Sequence, residues 1–329
     1  MRLLVTGGCG FIGSSFILDH LRLNHVVVNL DALTYAANPE HLNAVADNPN
    51  YHFVQGDITD GALVRRLLDT HQIEVLVHFA AESHVDNSID APSAFIRTNI
   101  QGTFALLSAS LEYVQAGNNL TFIHISTDEV YGSLSEGDAP FTHLSPYRPN
   151  SPYSASKAAS DHLVRAWYET YQLPTIITHC SNNFGPRQHR EKLIPTIIHA
   201  ALNGQPLPVY GNGQNIRDWI YVADHCRGIN LAIEKGQPGA TYCFGGQNEV
   251  RNIEMVQMIC TILDELRPKS SGQYSDQITF VTDRKGHDYR YAIDNRHVNE
   301  TLGYQVSGDF KTQLTETIQW YLTALPSSS

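Results

Sequence analysis

Residues 2–13, RLLVTGGCGFIG, decide the fold. A short apolar run enters Thr6-Gly7-Gly8-Cys9-Gly10-Phe11-Ile12-Gly13, and an apolar helical pattern follows over Ile12–Leu23. The glycines read as GxxGxxG from Gly7 or as GxGxxG from Gly8, and both registers end on Gly10 and Gly13. Small residues let the chain turn tightly and approach a pyrophosphate, while the helix N-terminus supplies N–H donors and partial positive charge. The second apolar run ends at Asp31, eighteen residues after Gly13. A carboxylate there accepts hydrogen bonds from both adenosine ribose hydroxyls and repels a 2′-phosphate, and no Arg or Lys follows in Ala32-Leu33-Thr34-Tyr35. NAD is therefore expected rather than NADP. Asp57, in Gln55-Gly56-Asp57-Ile58, either reaches the adenine amino group or forms a turn.

Working outward, the runs Leu3–Thr6, His25–Asp31, Tyr51–Asp57, Glu74–Phe79, Leu120–Ser126 and Thr175–His179 are nearly continuous in Val, Ile and Leu, as parallel strands covered on both faces require. Helical patterns separate them at Ile12–Leu23, Ala62–His71, Ser93–Val114 and Ser154–Tyr171. This βαβ rhythm predicts an α/β protein built on a doubly wound parallel sheet. After about Asn182 the rhythm weakens, Pro and Gly punctuate shorter elements, and only Asn252–Leu266 shows clear helical spacing. The expected division is a cofactor domain over residues 1–181, rejoined by roughly 215–245, and a smaller α/β substrate lobe over 182–329, with the ligand cleft between them. Ser327–Ser329 should fray.

Composition narrows the function. With 22 Lys+Arg against 33 Asp+Glu, the net charge of −11 argues against nucleic acid or an anionic membrane as partner, while leaving room for a local cationic pocket. A charged fraction of 17% beside 42% apolar residues rules out a disordered chain. No apolar run is long enough to span a bilayer, and MRLLVTGG is too short for a signal-peptide core. Five scattered cysteines without CxxC point to a reducing, cytoplasmic setting. Despite 16 histidines, no ligand spacing appears and no metal is expected.

Tyr153 and Lys157 lie four residues apart at the start of a predicted helix, on one face. An ammonium there, helped by a positive nicotinamide ring, would lower the tyrosine pKa and make it a general base for a hydroxyl. The strand before that helix closes on Ser126-Thr127-Asp128-Glu129, two carboxyls beside the expected nicotinamide.

TGGCGFIG, AAESHVD and the YxxxK helix together resemble the extended short-chain dehydrogenases/reductases acting on nucleotide sugars. LDALTYAAN, AAESHVDNSI, ISTDEVYG, SPYSASKAASDHLV, SNNFGP, EKLIP, NIRDWIYVADHCRG and DRKGHDYRYAID are similar to the 4,6-dehydratase branch, over residues 1 to about 322. The resemblance implies a Rossmann domain with NAD, dTDP-glucose as substrate, and a homodimer packed through helices near Ser93–Val114 and Ser154–Tyr171. It implies that Tyr153 takes the C4 hydroxyl proton during oxidation, with Thr127 positioning the oxygen. Glu129 then removes the C5 proton, Asp128 protonates the leaving C6 hydroxyl, and hydride returns to C6. One carboxyl must stay protonated and the other ionised, and the sequence alone does not assign which.

The same resemblance assigns Gly7, Gly10, Phe11, Ile12, Gly13, Asp31, Leu33, Thr34, Asp57, Ile58, Ala80, Ala81, Ser83, Thr98 and Asn183 to the cofactor, beside Tyr153 and Lys157. To the substrate it assigns Ser83, Thr127, Asn182, Lys192, Leu193, Pro208, Val209, Tyr210, Arg217, Asn252, Asp283, Arg284 and His287. Arg217 and Arg284 are the expected pyrophosphate ligands, and Tyr210 has the flat face to pack on thymine. The chain departs from the family pattern at Asn87, Phe184, Lys285 and Tyr289, and Arg187 and Arg190 are unusually basic; no catalytic residue is lost. Rivals are a dehydratase of a UDP-, CDP- or GDP-hexose, a C4-epimerase or UDP-glucuronate decarboxylase, which the Asp128-Glu129 pair counts against, and a non-catalytic NAD-sensing protein. The product would enter deoxysugar biosynthesis, for cell-surface rhamnose or a secondary metabolite.

Overall fold

The computed structural model describes residues 1–324; the expected fraying of Ser327–Ser329 lies outside them. Strands β1 (Arg2–Thr6), β2 (Val26–Asp31), β3 (Tyr51–Gln55), β4 (Val75–His78), β5 (Thr121–Ile125) and β6 (Thr175–Cys180) alternate with helices α1 (Phe11–Arg22), α2 (Gly61–His71), α3 (Val85–Asp90), α4 (Pro92–Phe95), α5 (Thr103–Gln115) and α6 (Pro152–Tyr171). The chain continues through β7 (Asn182–Phe184), α7 (Leu193–Leu202), β8 (Leu207–Tyr210), β9 (Ile216–Tyr221), α8 (Val222–Lys235), β10 (Thr241–Phe244), β11 (Glu249–Arg251), α9 (Asn252–Leu266), β12 (Ile278–Val281), α10 (Arg296–Leu302) and α11 (Phe310–Ala324).

Seven strands form one parallel sheet in the order β10-β6-β5-β4-β1-β2-β3. The order reverses at β1/β4, so β1, β4 and β5 deliver their carboxyl ends to one crevice, where open α/β sheets bind ligands. Leu3, Leu4, Val5, Val27, Val28, Leu76 and Val77 are wholly buried. The core of this sheet lies on both its faces: α1 and α8 cover one, while α2, α5 and α6 cover the other. This is why the strands read as continuous apolar runs.

The helix expected over Ser93–Val114 departs from regularity. Between α4 and α5, residues Ile96–Gly102 form a π-helical stretch. Asn99 sits in it, its amide buried: Oδ1 accepts from Glu82 N at 2.9 Å, while Nδ2 donates to Glu82 O at 3.0 Å and to Ser156 Oγ at 2.8 Å. A π turn widens the helix locally, and such turns are common at functional sites. Here Asn99 fastens the loop after β4 to α6.

A second core gathers Phe184, α7, Val209, Trp219, α9 and α11. A three-stranded sheet in the order β11-β9-β7 and the parallel pair β12-β8 frame it. Of the segment 215–245, β9 pairs with β7 and β11, α8 packs on α1, and β10 joins the main sheet. Phe184 is fully buried between Trp219, Tyr221 and Phe310. A tyrosine hydroxyl there would face an apolar neighbourhood.

Candidate active site

At the crevice, Gly7 N donates to Leu30 O at 2.9 Å and Gly10 N to Gly7 O at 3.1 Å. Gly7 has φ +71°, and a Cβ on it would lie 2.7 Å from the Ala80 backbone. A Cβ on Gly13 would lie 2.5 Å from Gly7 O. Gly7, Gly10 and Gly13 line the cleft, whereas Gly8 packs behind it against Asn29 and Ile17. The GxxGxxG register is therefore the one that faces a ligand. Asp31 closes β2, its carboxylate accepting from Cys9 N at 2.9 Å and Leu33 N at 2.8 Å. Burial raises its pKa, opposed by those two amides. The cleft, about 340 Å³, is shaped for an extended ligand and fits a dinucleotide: a cradle at Gly7–Gly13 that a side chain would fill, then a carboxylate at the β2 end.

Phe11, Ile12, Thr34, Asp57, Ile58, Ala80, Ala81, Ser83, Thr98 and Asn183 also line it. Leu33 does not; it takes a left-handed φ of +55° and turns aside. Asp57 accepts from Thr59 N and pairs with Arg97 at 3.1 Å.

Ser151 caps α6 reciprocally with Ser154, and Pro152 pre-sets the first turn. That start fixes Tyr153 and Lys157 on the buried face of the helix. Lys157 Nζ donates to Ile125 O at 2.8 Å, and burial lowers its pKa to about 8. Tyr153 is raised well above the ordinary phenol value, first by burial and then by the Glu129 and Cys180 charges, with Thr127 hydrogen bonding in opposition. The expected depression by Lys157 is thus outweighed by the protein's own groups: the ammonium is turned onto a carbonyl, and two carboxyls face the phenol.

Thr127 caps the short 3₁₀ turn Asp128–Tyr131, its hydroxyl accepting from Glu129 N at 3.3 Å. Both carboxyls line the cleft with Tyr153 and Lys157. Asp128 is 2% exposed and its Oδ2 has no hydrogen-bond partner. Burial, then Glu129 and Asp218, push its pKa well above the carboxylate range. Glu129 is raised too, mainly by burial, but Lys192, Arg217 and Arg284 pull it back. Both carboxyls are thus pushed towards the protonated form, Asp128 the further, while more of the neighbouring cations act against the rise on Glu129.

The remaining residues fall into two groups. Asn182 and Lys192 share the cleft with Ser83, and Lys192 Nζ donates to Ser83 O at 3.0 Å. Tyr210, Asp283, Arg284 and His287 gather apart: His287 Nδ1 lies 2.7 Å from Asp283, Arg284 lies over the Tyr210 ring at 5.2 Å, and Arg284 Nε is buried without a hydrogen bond. Arg217 is 7% exposed and spends its guanidinium on Ile216 O, Asp288 O and Tyr289 O, over the Tyr291 ring. Val209 belongs to the second core, Leu193 packs against it, and Pro208 precedes Val209 in β8. Asn252 keeps a buried Oδ1 without a partner.

Cleft residues that sequence reasoning passed over include Gln188, His189 and Glu191. Glu191 lay within EKLIP, but neighbours of a motif carry no chemical signal of their own. Among the described residues no cluster of His, Cys, Asp and Glu could hold a metal.

A switch-point dinucleotide cleft with a YxxxK helix defines an extended short-chain dehydrogenase/reductase. The sequence profile described as GDP-mannose 4,6 dehydratase matches residues 4–317, and the chain belongs to this family of nucleotide-sugar 4,6-dehydratases. It is 53% identical over 326 residues to the dTDP-glucose 4,6-dehydratase of Xanthomonas campestris pv. campestris strain B100, covering 97% of this chain and 93% of that protein. Its structure resembles a dTDP-glucose 4,6-dehydratase of Streptomyces venezuelae solved with NAD bound (TM-score 0.91, 44% identity, 98% and 97% covered). A UDP-glucose 4-epimerase of Thermotoga maritima shares the fold at 26% identity (TM-score 0.89, 99% and 100% covered).

Proposed function

We propose that this protein dehydrates dTDP-glucose to dTDP-4-keto-6-deoxyglucose with the help of NAD. One observation carries the reading: two adjacent carboxyls, the buried Asp128 and the half-buried Glu129, with Asp128 pushed further towards its protonated form, share a cleft with Tyr153 and Lys157. An epimerase needs one proton acceptor at C4, whereas water elimination needs a base for C5 and an acid for the C6 hydroxyl.

NAD, when bound, would supply the hydride acceptor for C4 and the hydride donor for C6. Gly7, Gly10 and Gly13 would admit its pyrophosphate, and Asp31 would hold the adenosine ribose. Tyr153, its burial-raised pKa offset by the positive charge that the nicotinamide ring would bring beside it, would receive the C4 hydroxyl proton as phenolate, and Thr127 would orient that oxygen. The resulting 4-ketone acidifies the C5–H, which Glu129 removes. Asp128 gives its proton to the C6 hydroxyl, so C–O cleavage expels water. Glu129 returns its proton to C5, and the proton that Tyr153 took from the C4 hydroxyl makes good the one Asp128 gave up, so the reaction balances as loss of one water.

Arg284, whose buried Nε makes no hydrogen bond and has only the Asp86 carboxylate 3.6 Å away, and Lys192 are the cations suited to the diphosphate, and Tyr210 to the thymine face. Residues 1–181, with α8 and β10 returning, form the cofactor half, and the second core carries the substrate half. Phe104 and Tyr171 are about half exposed beside Trp167, an apolar face on α5 and α6 that supports a homodimer through these helices. All five cysteines are buried free thiols, in keeping with a cytoplasmic setting and deoxysugar biosynthesis. No described helix is long and apolar enough to cross a membrane.

A panel of dTDP-, UDP-, CDP- and GDP-hexoses tests the reading. The dTDP-glucose product should be lighter by one water; turnover restricted to another nucleotide would reassign the substrate, and C4 inversion alone would reject dehydration.

A further inference from the structure

The proposed chemistry leaves unused a buried row of titratable groups directly beneath the catalytic turn. It crosses the sheet in register from Thr6 on β1 to His78 on β4 and His124 on β5, and continues at His179, two residues beyond His124's partner Ile177 on β6 and opposite Cys243 on β10. His78 sits between the Thr6 hydroxyl at 2.8 Å and the Thr103 hydroxyl at 3.0 Å. Asp161 descends into the row from α6. Its Oδ1 lies 3.2 Å from His124 Nε2, and its Oδ2 lies 2.9 Å from His179 Nε2. None of Asp161, His124 and His179 exceeds 1% exposure.

Asp161 stands one turn beyond Lys157 and two beyond Tyr153, on the same helix face. Ser126, the residue before Thr127, donates its hydroxyl to Asp161 Oδ2 at 2.9 Å. At the other end of the turn, Tyr131 places its hydroxyl 2.9 Å from His179 Nδ1. Both ends of Ser126–Tyr131 are therefore tied to a single Asp161–His179 unit, and Thr127, Asp128 and Glu129 hang between the two ties. A buried pair is costly to desolvate, and apolar packing would serve stability as well, so its presence calls for a positional reason.

We propose that the Asp161–His179 pair is a positioning device for the acid–base turn, setting where Asp128 and Glu129 stand relative to the Tyr153–Lys157 helix. The elimination step depends on it more than the C4 oxidation does, because Tyr153 and Lys157 are already fixed by α6 itself. Ordered groups misplaced by about an ångström can cost on the order of a hundredfold in rate. This inference rests on the dehydratase reading above.

Tyr131→Phe removes one oxygen and keeps the ring in its apolar cluster with Phe141 and Tyr147; Asp161→Asn removes the charge at constant shape. Single-turnover reactions with dTDP-glucose should show, for Tyr131→Phe, first-step oxidation at the wild-type rate and elimination slowed on the order of tenfold or more. The 4-keto-hexose should then accumulate, seen as lasting reduced-nicotinamide absorbance, and deuterium uptake at C5 from D₂O should slow in parallel. Asp161→Asn should show the same split, with KM unchanged. Equal slowing of both steps, or a Tyr131→Phe variant indistinguishable from wild type, would overturn the positioning role. Failure of the wild-type protein itself to release water would instead reject the dehydratase reading.

Discussion

Lys157 donates to the carbonyl of Ile125, the last residue of β5, at 2.8 Å, so the YxxxK helix is pinned to the strand that ends in the carboxylate turn. Tyr153 rides one turn before Lys157. The residue proposed to accept the C4 proton and the pair proposed to serve C5 and C6 are thereby held to one another through a single strand end.

Tyr153→Phe should abolish both oxidation and product formation, a loss of about 10²- to 10⁴-fold or greater. NAD should remain bound, since the glycine cradle and Asp31 are untouched. Reduced-nicotinamide absorbance on mixing with substrate checks the first part, and release of NAD on denaturation checks the second.

Asp128→Asn should slow dehydration more than oxidation, because the amide cannot give a proton to the departing hydroxyl. Rapid-quench sampling should find 4-ketohexose ahead of dehydrated product. Normal turnover of this variant would remove Asp128 from the acid role.

The pH profile should carry the same signature. Asp128 has its pKa raised above the carboxylate range, by burial first and Glu129 second, so its protonated form is lost only as pH climbs through that raised value. Elimination should fall on that alkaline limb, and the limb should vanish in Asp128→Asn. A limb unchanged by the substitution would belong to another group.

Stability should respond to the Asp161–His179 pair with a defined sign. His179 is raised from 6.5 to about 9, where burial is overcome by Asp161. Its contribution is full below 6.5 and is lost as pH rises through about 9. Breaking a buried pair costs roughly 3–5 kcal/mol, so His179→Asn should be destabilised by that order below pH 6.5, and the gap should narrow towards pH 9. Denaturant melts across this range test it; a gap independent of pH would assign the loss to packing alone.

Arg284→Met should weaken dTDP binding by on the order of ten- to a hundredfold, the worth of a charge-assisted hydrogen bond, with kcat nearly unchanged. Calorimetry with dTDP and steady-state KM values measure this.

Much of the fold was legible because a sheet covered on both faces requires largely apolar strands, and β1, β2 and β4 to β6 supply them within a residue or two of their sequence limits, while β3, at the sheet edge, is only part-buried. Asn252–Leu266 was equally clear, since its apolar spacing coincides with the face packed on α7 and α11. The π stretch at Ile96–Gly102 was hidden, because Asn99 finds its partners at Glu82 and Ser156 only after folding. Strands of three residues such as β7 and β11 carry no periodicity at all. In the site, Gly7–Gly13, Asp31 and Tyr153–Lys157 announced themselves by spacing. The proposed division of labour between Asp128 and Glu129 did not, because it depends on burial and on the cations at 192 and 284, which act on Glu129 from distant parts of the chain. Asp161 was silent for a similar reason: its partners stand at 124, 126 and 179.

The central claim is an oxidation that the same active site reverses after water has left. Incubating the purified protein, without added NAD, with dTDP-glucose carrying deuterium at C4 measures this directly. The expected product is lighter by one water and retains the deuterium at C6. A product that has lost water but released the deuterium to solvent, or one merely inverted at C4, would contradict it.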